Sequence, residues 1–388
     1  MEKMILNNYG SFDLTFVKGK NATMWDAKGK KYIDFISGIG VNCLGHNYKP
    51  LVREIAKQAK KQIHISNYYF SDIGLVYADE LLKVSGFEKG YFGNSGAEAN
   101  EAAINLARKY GQLNGGEKRK TIVTLEKSFH GRTLATLTAT GQDKFHPECF
   151  APYPEGFKTI KANDYEAIKT AFDDTTAAFF VECIQGEGGV NPCTKEFLQG
   201  LRELCDKHDI CLIFDEVQCG MGRTGTIMTY FQYDVMPDIV CLAKGLGAGV
   251  PVGAFVANDK IGAAMQPGDH GSTYGGNPFV SQAVSTVFDI INDENMMEHV
   301  QEVSQYLISR LDELVEKYDV VTERRGLGLM QGLELKVPVK SIVSDLFKQG
   351  VVIVSAGNNV LRMLPPFIIE NKHVDEFIDA LENNLKKL

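Results

Sequence analysis

The sequence has no long apolar run, no excess of basic charge and no secretory signal, and each absence excludes a class of protein. Its longest uncharged stretch, residues 271–288, contains Ser, Thr, Asn, Gln and Pro, which excludes a membrane-spanning helix there. Lys and Arg number 41 against 49 Asp and Glu, so the net charge of -8 argues against a nucleic-acid or anionic-membrane surface. The first ten residues, MEKMILNNYG, lack the apolar core and cleavage site of a signal peptide. We expect a soluble chain that is not exported.

The eight cysteines are scattered and form no local metal-binding or redox motif. No two of them form a CxxC pair, and no Cys/His group has zinc spacing, which leaves only metal sites assembled from distant positions. The cysteines at 183, 211 and 241 fall in apolar, strand-like runs, where a thiol serves as a small hydrophobic group. We therefore expect no metal, buried reduced thiols and a cytoplasmic location.

Short apolar runs alternate with amphipathic helical patterns over most of the chain. The predicted strands are 121–125, 177–184, 211–217 and 238–245, with a helix at 195–209. Near-continuous apolar strands separated by helices indicate a largely parallel sheet covered on both faces. From about residue 290 the chain changes to charged amphipathic helices at 300–318 and 374–388, with a strand at 330–337 between them. This pattern indicates a smaller α/β unit that closes the chain.

Two of the predicted strands carry groups of opposite charge at or near their ends. Asp215 ends the apolar run of IFDEV, at the edge where open parallel sheets bind their ligands, and a carboxylate buried there needs a cation. Lys244 interrupts DIVCLAKG, and burial would lower its pKa and prepare the amine as a nucleophile. Taken alone, Lys244 could equally extend to solvent. The occurrence of Asp215 at the end of the preceding predicted strand favours a catalytic role for Lys244.

The glycine pattern after Asp215 resembles a dinucleotide fingerprint but lacks its context. Gly220, Gly222 and Gly225 have G-x-G-x-x-G spacing, yet the following TIMTYFQYDVMPD has Pro and aromatic residues instead of a clear helix. We therefore predict no dinucleotide site.

Two further segments combine glycine with polar or aromatic side chains. Ser95 and Glu98 have the spacing of a capping box at the start of a helix, and the same helix terminus could bind a phosphate. In KSFHGRT, Phe129 could stack on a planar ligand and Arg132 could bind a carboxylate, although an exposed loop could show both residues by chance.

These segments, in this order, resemble the class III (subgroup II) aminotransferases, which depend on pyridoxal phosphate. The matching motifs are VKGKNATMWDAKGKKYIDFISGIGVNCLGH, SGAEANEAAINLAR, FHGRT, ECIQGEGG, DEVQCGMGRTG, LAKGLGAGVPVGA, HGSTYGGNP and RMLPP. The resemblance covers essentially the whole chain and implies the α/β fold of fold-type I enzymes. It implies an N-terminal segment at 1–46 that packs with the small domain, a large cofactor-binding domain at 47–288 with a mostly parallel, seven-stranded type of sheet, and a C-terminal small domain at 289–388.

The resemblance also assigns residues to pyridoxal phosphate. Lys244 would hold the cofactor as a Schiff base and later move the substrate proton, and Asp215 would pair with the pyridinium nitrogen. Gln218 would reach the phenolic oxygen. The remaining cofactor-binding residues would be Ser95, Gly96 and Ala97 at the phosphate, Phe129 and His130 at the ring, and Thr273 at the phosphate of the neighbouring subunit in a homodimer.

Substrate roles follow from the same resemblance. Glu187 and Arg362 would form a movable ion pair, and Arg362, once free, would bind the α-carboxylate of glutamate or 2-oxoglutarate. Arg132 would hold the far carboxylate. Tyr9, Ile39 and Ser272 would line the substrate entrance or pocket.

Within the class, the pattern most resembles members that use N-acetylornithine. Ile39 is aliphatic, whereas the ornithine enzymes typically carry an aromatic residue at this position, and GIxVNxLGH and SNYY point the same way. Ornithine, succinylornithine and N-succinyl-diaminopimelate remain alternative substrates, because the space for the acyl group cannot be derived from sequence. An aminomutase of the glutamate-semialdehyde type has no use for a pair such as Glu187 and Arg362, and a non-enzymatic relative would be expected to lack Lys244 or Asp215.

Overall fold

The computed structural model describes residues 14–388 together with Leu6, Asn8 and Tyr9. Its strands, numbered in chain order, are β1 Phe16–Lys20, β2 Thr23–Asp26, β3 Lys31–Asp34, β4 Lys89–Gly93, β5 Thr121–Leu125, β6 Phe157–Ile160, β7 Thr176–Val181, β8 Ile184–Gln185, β9 Asn191–Pro192, β10 Cys211–Asp215, β11 Ile239–Leu242, β12 Gly253–Ala257, β13 Val321–Leu327, β14 Met330–Leu335, β15 Val351–Val352, β16 Val354–Ala356 and β17 Val360–Met363. Its α-helices are α1 Ser37–Gly40, α2 Lys49–Lys61, α3 Asp72–Ser85, α4 Gly96–Gly115, α5 Leu134–Ala139, α6 Tyr165–Ala171, α7 Lys195–His208, α8 Asp259–Gly262, α9 Pro278–Ile291, α10 Glu294–Lys317, α11 Lys340–Lys348 and α12 Asn371–Leu385.

A seven-stranded sheet with the order β4-β12-β11-β10-β7-β5-β6 forms the centre of the large domain. Strand β12 is antiparallel to both its neighbours, while the other neighbouring strands pair in parallel. The prediction of a mostly parallel sheet of seven strands in an α/β fold is therefore confirmed. Six of the strands point their carboxyl ends toward one edge.

Alternate residues of the central strands enter two separate cores. In β10, Leu212 and Phe214 pack in one core, and Cys211 and Ile213 pack in the other, against the alanine-rich face of α4. All five residues of β10 are buried, because both faces of the sheet are covered. Full burial contributes about 1.5–3 kcal/mol for a Leu, Ile or Phe side chain, which explains why these strands are apolar throughout.

Three of the predicted strands end earlier than their apolar patterns. Strand β5 matches its prediction at 121–125, but β7 ends at Val181, β10 at Asp215 and β11 at Leu242. The residues that follow leave the sheet: Glu182 and Glu216 begin loops, Ile184–Gln185 is the separate strand β8, and Lys244–Leu246 is a short 3-10 helix.

Two smaller sheets flank the large domain. One has the order β1-β2-β3-β15, so the N-terminal hairpin pairs with a strand from the last part of the chain. The other, β13-β14-β17-β16, packs against α10, which in turn packs on α12. These pairings support an N-terminal segment that packs with the small domain, and the boundaries at 46 and 288 stay a prediction.

The structure also bears on the cysteines and on membrane crossing. All eight thiols are free, and seven are buried, so the expectation of burial is wrong only for Cys149, which is exposed in a short 3-10 helix at residues 148–150. Burial raises the pKa of the Cys43 thiol to about 11.

Over residues 14–388 no helix is both long and apolar enough to cross a bilayer.

Candidate active site

A cavity of about 410 Å³ opens at the carboxyl edge of the large sheet. Loops that follow β4, β5, β7, β10 and β11 line it, because parallel strands bring their carboxyl ends to the same edge. The predicted site residues that line this cavity are Ser95, Gly96, Ala97, Phe129, His130, Arg132, Glu187, Asp215, Gln218 and Lys244. The topology thus brings together segments up to 149 residues apart in sequence (244 minus 95).

Asp215 is held in one orientation by three donors. Its side chain is 4% exposed, and its Oδ2 accepts hydrogen bonds from Asn100 Nδ2 and His130 Nδ1, both at 2.8 Å. Its Oδ1 accepts from the backbone N–H of Val217 at 3.0 Å. The His130 ring stacks on Phe180 with centroids 4.1 Å apart. No Lys or Arg forms an ion pair with Asp215 among the described residues, so its carboxylate is available to a cationic group of a ligand.

Lys244 begins a short 3-10 helix directly after the buried strand β11. Its φ of 45° places the backbone in the left-handed region, which turns the chain sharply away from the sheet. Burial lowers the pKa of the Lys244 amine, and Arg362 lowers it further, while Glu187 acts in the opposite direction. A lowered pKa raises the fraction of neutral, nucleophilic amine at neutral pH.

The amino terminus of α4 forms one wall of the cavity. Ser95 is the N-cap, and its Oγ accepts from the N–H of Glu98 at 3.2 Å. The Glu98 carboxylate bonds to the N–H of Asn94 at 2.8 Å and not to that of Ser95, so the predicted capping box is shifted by one residue. A Cβ at Gly96 would lie 2.9 Å from Val217, which explains the glycine. The first-turn N–H groups have no acceptor within the helix and can bind an anion.

Glu187 and Arg362 form a bidentate ion pair at the cavity wall. The distances are 2.6 Å from Nη1 to Oε1 and 3.2 Å from Nη2 to Oε2. Gln218 joins both partners: its Nε2 donates to Glu187 at 3.3 Å, and its Oε1 accepts from Arg362 at 3.1 Å. Burial alone would raise the pKa of Glu187, but the guanidinium of Arg362 outweighs it and lowers that pKa below its usual range. The pair is therefore charged on both sides.

The loop after β5 presents Phe129 and Arg132 to the cavity. The Arg132 guanidinium lies 4.1 Å from the ring of Phe145 and 5.5 Å from the ring of Phe129. The side chain of Arg132 is exposed, so its charge is free to bind a ligand carboxylate.

Four of the predicted residues lie outside this cavity. Thr273 and Ser272 line a second cleft, of about 880 Å³, and Ser272 Oγ accepts from Asn94, a cavity residue, at 3.0 Å. Ile39 is 39% exposed, two residues before Val41 of the cavity wall, and Tyr9 is 86% exposed. Within one chain the structure does not bring these four side chains to the cavity, and their roles stay predictions. Arg362 does not line it either but contacts it through Glu187 and Gln218.

Sequence reasoning missed two residues of this site, Glu182 and Asn100. Glu182 is 4% exposed and accepts from the N–H groups of Phe129 at 2.8 Å and Gly186 at 3.2 Å, so it joins two cavity loops. Burial and the charge of Asp215 raise its pKa well above the usual range. Glu182 directly follows β7, as Asp215 ends the neighbouring β10, and this shared position was the available signal. Asn100 lies one turn after Gly96 on α4, facing the sheet.

Similarity to known proteins places the chain in a family. Residues 5–385 match the family described as Aminotransferase class-III. The acetylornithine aminotransferase of Clostridium acetobutylicum is 44% identical over 383 residues, which cover 98% of this chain and 99% of that protein. The crystal structure of N-acetylornithine aminotransferase from Stenotrophomonas maltophilia K279a superposes with a TM-score of 0.86 at 35% identity and covers 98% of each chain. An ornithine aminotransferase from Toxoplasma gondii, with PLP at partial occupancy in its active site, gives a TM-score of 0.94 at 28% identity, covering 99% of this chain and 92% of that one.

The chain therefore belongs to the class III aminotransferases. Members of this class are pyridoxal-phosphate enzymes that transfer an amino group between small molecules, and this chain is a transaminase of that kind.

Proposed function

We propose that this transaminase moves the terminal amine of N2-acetylornithine to 2-oxoglutarate. The products are N-acetylglutamate 5-semialdehyde and glutamate, in a step of arginine biosynthesis. The observation that carries the proposal is the bidentate pair between Glu187 and Arg362 at the cavity wall. The 44% identity to an acetylornithine aminotransferase over nearly both full lengths supports the same substrate.

The cavity has the groups that pyridoxal phosphate requires. Asp215 is a buried carboxylate that bonds to Asn100, His130 and the N–H of Val217 and to no Lys or Arg of the described residues, which suits a protonated ring nitrogen. Because Val217 lies so close to Gly96, no side chain fits at this position. The first-turn N–H groups of α4 are therefore not covered by a side chain here, which suits a phosphate. We propose that Lys244 binds the cofactor, that Phe129 and His130 contact its ring, and that Ser95, Gly96 and Ala97 contact its phosphate. When bound, the cofactor supplies an electron sink that stabilises negative charge at the substrate carbon.

The residues of the chain then have separate tasks. Lys244 carries the proton that leaves the substrate carbon, for which a lowered pKa is suited. Asp215 keeps a negative charge beside the ring nitrogen, and Asn100 and His130 fix its orientation. Gln218 is placed between the Glu187–Arg362 pair and the cavity, where its amide can reach the phenolic oxygen.

The ion pair allows one site to accept two substrates that differ in whether a carboxylate lies beside the reacting amine. The terminal amine of N2-acetylornithine has no neighbouring carboxylate, so the paired Glu187 and Arg362 present a wall whose charges cancel. Glutamate brings an α-carboxylate to the same place, and Arg362 binds it once the Glu187 side chain moves aside. Arg132, exposed at the other side of the cavity, binds the far carboxylate of either substrate.

We propose a homodimer that shares its active sites. Thr273 and Ser272 lie on a cleft apart from the cavity of their own chain, together with Tyr68, which is 92% exposed. Exposed aromatic surface of this kind is typical of an interface between chains. Thr273 would then complete the phosphate site of the partner, and Tyr9 and Ile39 would approach the substrate entrance. The free, mostly buried thiols support a reducing compartment, the cytoplasm.

Initial rates with different amine donors test the substrate assignment. N-acetylornithine, ornithine, succinylornithine and 4-aminobutyrate are each measured against 2-oxoglutarate. We expect the highest kcat/KM for N-acetylornithine, and a higher value for ornithine would contradict the proposal in favour of the alternative suggested by the Toxoplasma gondii relative. No consumption of 2-oxoglutarate with any donor would favour an aminomutase.

A further inference from the structure

Arg223 is a buried arginine that lies outside the cavity. Its side chain is 2% exposed, and within residues 14–388 it has no Asp or Glu as a hydrogen-bond partner. Its Nη2 has no hydrogen-bond partner there either. A buried guanidinium that has the charge of Asp34 nearby but no carboxylate in hydrogen-bond contact is costly, so its remaining contacts are expected to matter.

Those contacts flank two paired strands, one of which carries Arg362. Nη1 of Arg223 donates to the carbonyl of Pro365, two residues after β17, and to that of Leu329 at 3.4 Å, directly before β14. The Leu329 N–H donates back to the Arg223 carbonyl at 2.9 Å. The guanidinium also lies 4.8 Å from the ring of Phe367. Because Arg362 is on β17 and β17 pairs with β14, Arg223 binds the backbone just after the strand of Arg362 and the backbone just before the neighbouring strand.

The loop that contains Arg223 reaches Arg362 at a second point. Residues 216–228 begin beside the cavity with Gln218, which accepts from Arg362 Nη1 at 3.1 Å. Farther along, the same loop touches the small sheet so closely that a Cβ at Gly328 would lie 2.5 Å from the Thr224 carbonyl carbon. The loop therefore fixes both the side chain and the strand of Arg362.

We infer that Arg223 is a positioning residue that holds the Arg362 strand where Arg362 must bind the α-carboxylate of glutamate or 2-oxoglutarate. This inference rests on the proposed function. While Glu187 is paired with Arg362, the two hydrogen bonds to the Glu187 carboxylate keep the guanidinium of Arg362 in place. Once Glu187 moves aside, Arg362 retains only Gln218 and the position of its strand, since its Nε has no partner among the described residues. Loss of Arg223 then affects the glutamate half-reaction more than the N-acetylornithine half-reaction.

Single-turnover rates of the two half-reactions test this inference with the holoenzyme. Arg223→Lys keeps the charge but replaces the planar guanidinium that lies over Phe367 and donates to the two carbonyls, and Arg223→Met removes the charge at similar volume. We expect kcat/KM for glutamate to fall about tenfold more than kcat/KM for N-acetylornithine, mainly through KM. Arg202→Lys is the matched control, because Arg202 pairs with Asp206 and Asp238 away from the cavity and should lower both values equally or not at all.

Arg362→Ala, measured in parallel, distinguishes a failure of the Arg223 inference from a failure of the proposed function. If Arg362→Ala shows the split between half-reactions and the Arg223 variants lose both equally, Arg223 is merely structural and the inference is wrong. If Arg362→Ala itself shows no split, the proposed function fails first. Should neither Arg223 variant fold, Phe367→Leu removes the ring beneath the guanidinium, and equal losses in that variant overturn the inference as well.

Discussion

His130 Nδ1 donates to Asp215 Oδ2 over 2.8 Å in a part of the cavity wall where His130 is fully buried. A neutral imidazole that donates from Nδ1 carries its lone pair on Nε2, and this atom has no partner among the described residues. Asn100 donates to the same carboxylate oxygen. Two side chains thus orient the carboxylate of Asp215.

Asp215→Asn is expected to leave the fold intact and slow the reaction strongly. An asparagine oxygen in the place of Oδ2 still accepts from Asn100 and His130, so the packing survives. The negative charge beside the ring nitrogen is lost, and with it the protonated ring. We expect kcat to fall by roughly 100-fold or more, equivalent to about 2.7 kcal/mol in the barrier. Near-normal kcat at an unchanged Tm would show that Asp215 has only a structural role.

Lys244→Ala is expected to abolish turnover in a folded protein. The amine is the only group of this side chain that can bind a carbonyl carbon covalently, and its lowered pKa follows from burial and from Arg362. The measurement is the visible absorption of the purified protein with pyridoxal phosphate, together with kcat. The assignment would be withdrawn if the absorption and its lysine-bound character persisted in the variant.

Glu216, the neighbour of Asp215, should make stability depend on pH. Burial raises its pKa to about 8, above the ordinary value of 4.5, although the N–H groups of Thr229 and Tyr230 act in the opposite direction. Between these pH values the folded state binds more protons than the unfolded state, so the free energy of unfolding falls as pH rises. From about pH 6 to 7.5, wild type should lose about 2 kcal/mol relative to Glu216→Gln. Urea unfolding at several pH values measures this difference, and parallel curves would contradict it.

Mixed dimers test whether Thr273 serves the partner subunit. Thr273→Asp should repel a phosphate, and Lys244→Ala removes the covalent anchor, so each variant alone is inactive. In a dimer with one chain of each kind, one site combines an intact Lys244 with an intact Thr273 from the other chain. We expect activity to return when the two variants are unfolded, mixed and refolded together. No recovery would place Thr273 in its own chain's site or remove it from the site.

The sequence predicted the fold and the residues of the cavity well where chemistry and strand pattern coincide. Asp215 and Lys244 stand at the ends of apolar strands, and parallel topology alone is enough to bring such ends together. Glu182 was missed although it occupies the same position after β7, because it was treated as part of a strand that the structure ends at Val181. Strand ends are hard to predict, since hydrophobic pattern does not report where ladder bonds stop.

Other features depend on contacts that no sequence pattern encodes. The capping residue Glu98 has the predicted spacing, but only the turn geometry decides that the backbone N–H of Asn94 and not that of Ser95 donates to its carboxylate. The role inferred for Arg223 depends on its contacts with Leu329 and Pro365, more than 100 residues away in sequence. The location of Thr273 away from its own cavity likewise appears only once the chain is folded.

The most direct test of the account is a comparison of both half-reactions in Arg362→Ala and Glu187→Ala. If Arg362 binds only the α-carboxylate, its loss should spare the reaction with N-acetylornithine and cripple that with glutamate. A charge-assisted bidentate contact is worth about 2–5 kcal/mol, or roughly 30- to several-thousand-fold in kcat/KM. Glu187→Ala should raise reactivity toward glutamate, because Arg362 is then permanently free. Single-turnover rates of each half-reaction give the answer, and equal losses in both halves for Arg362→Ala would contradict the substrate switch.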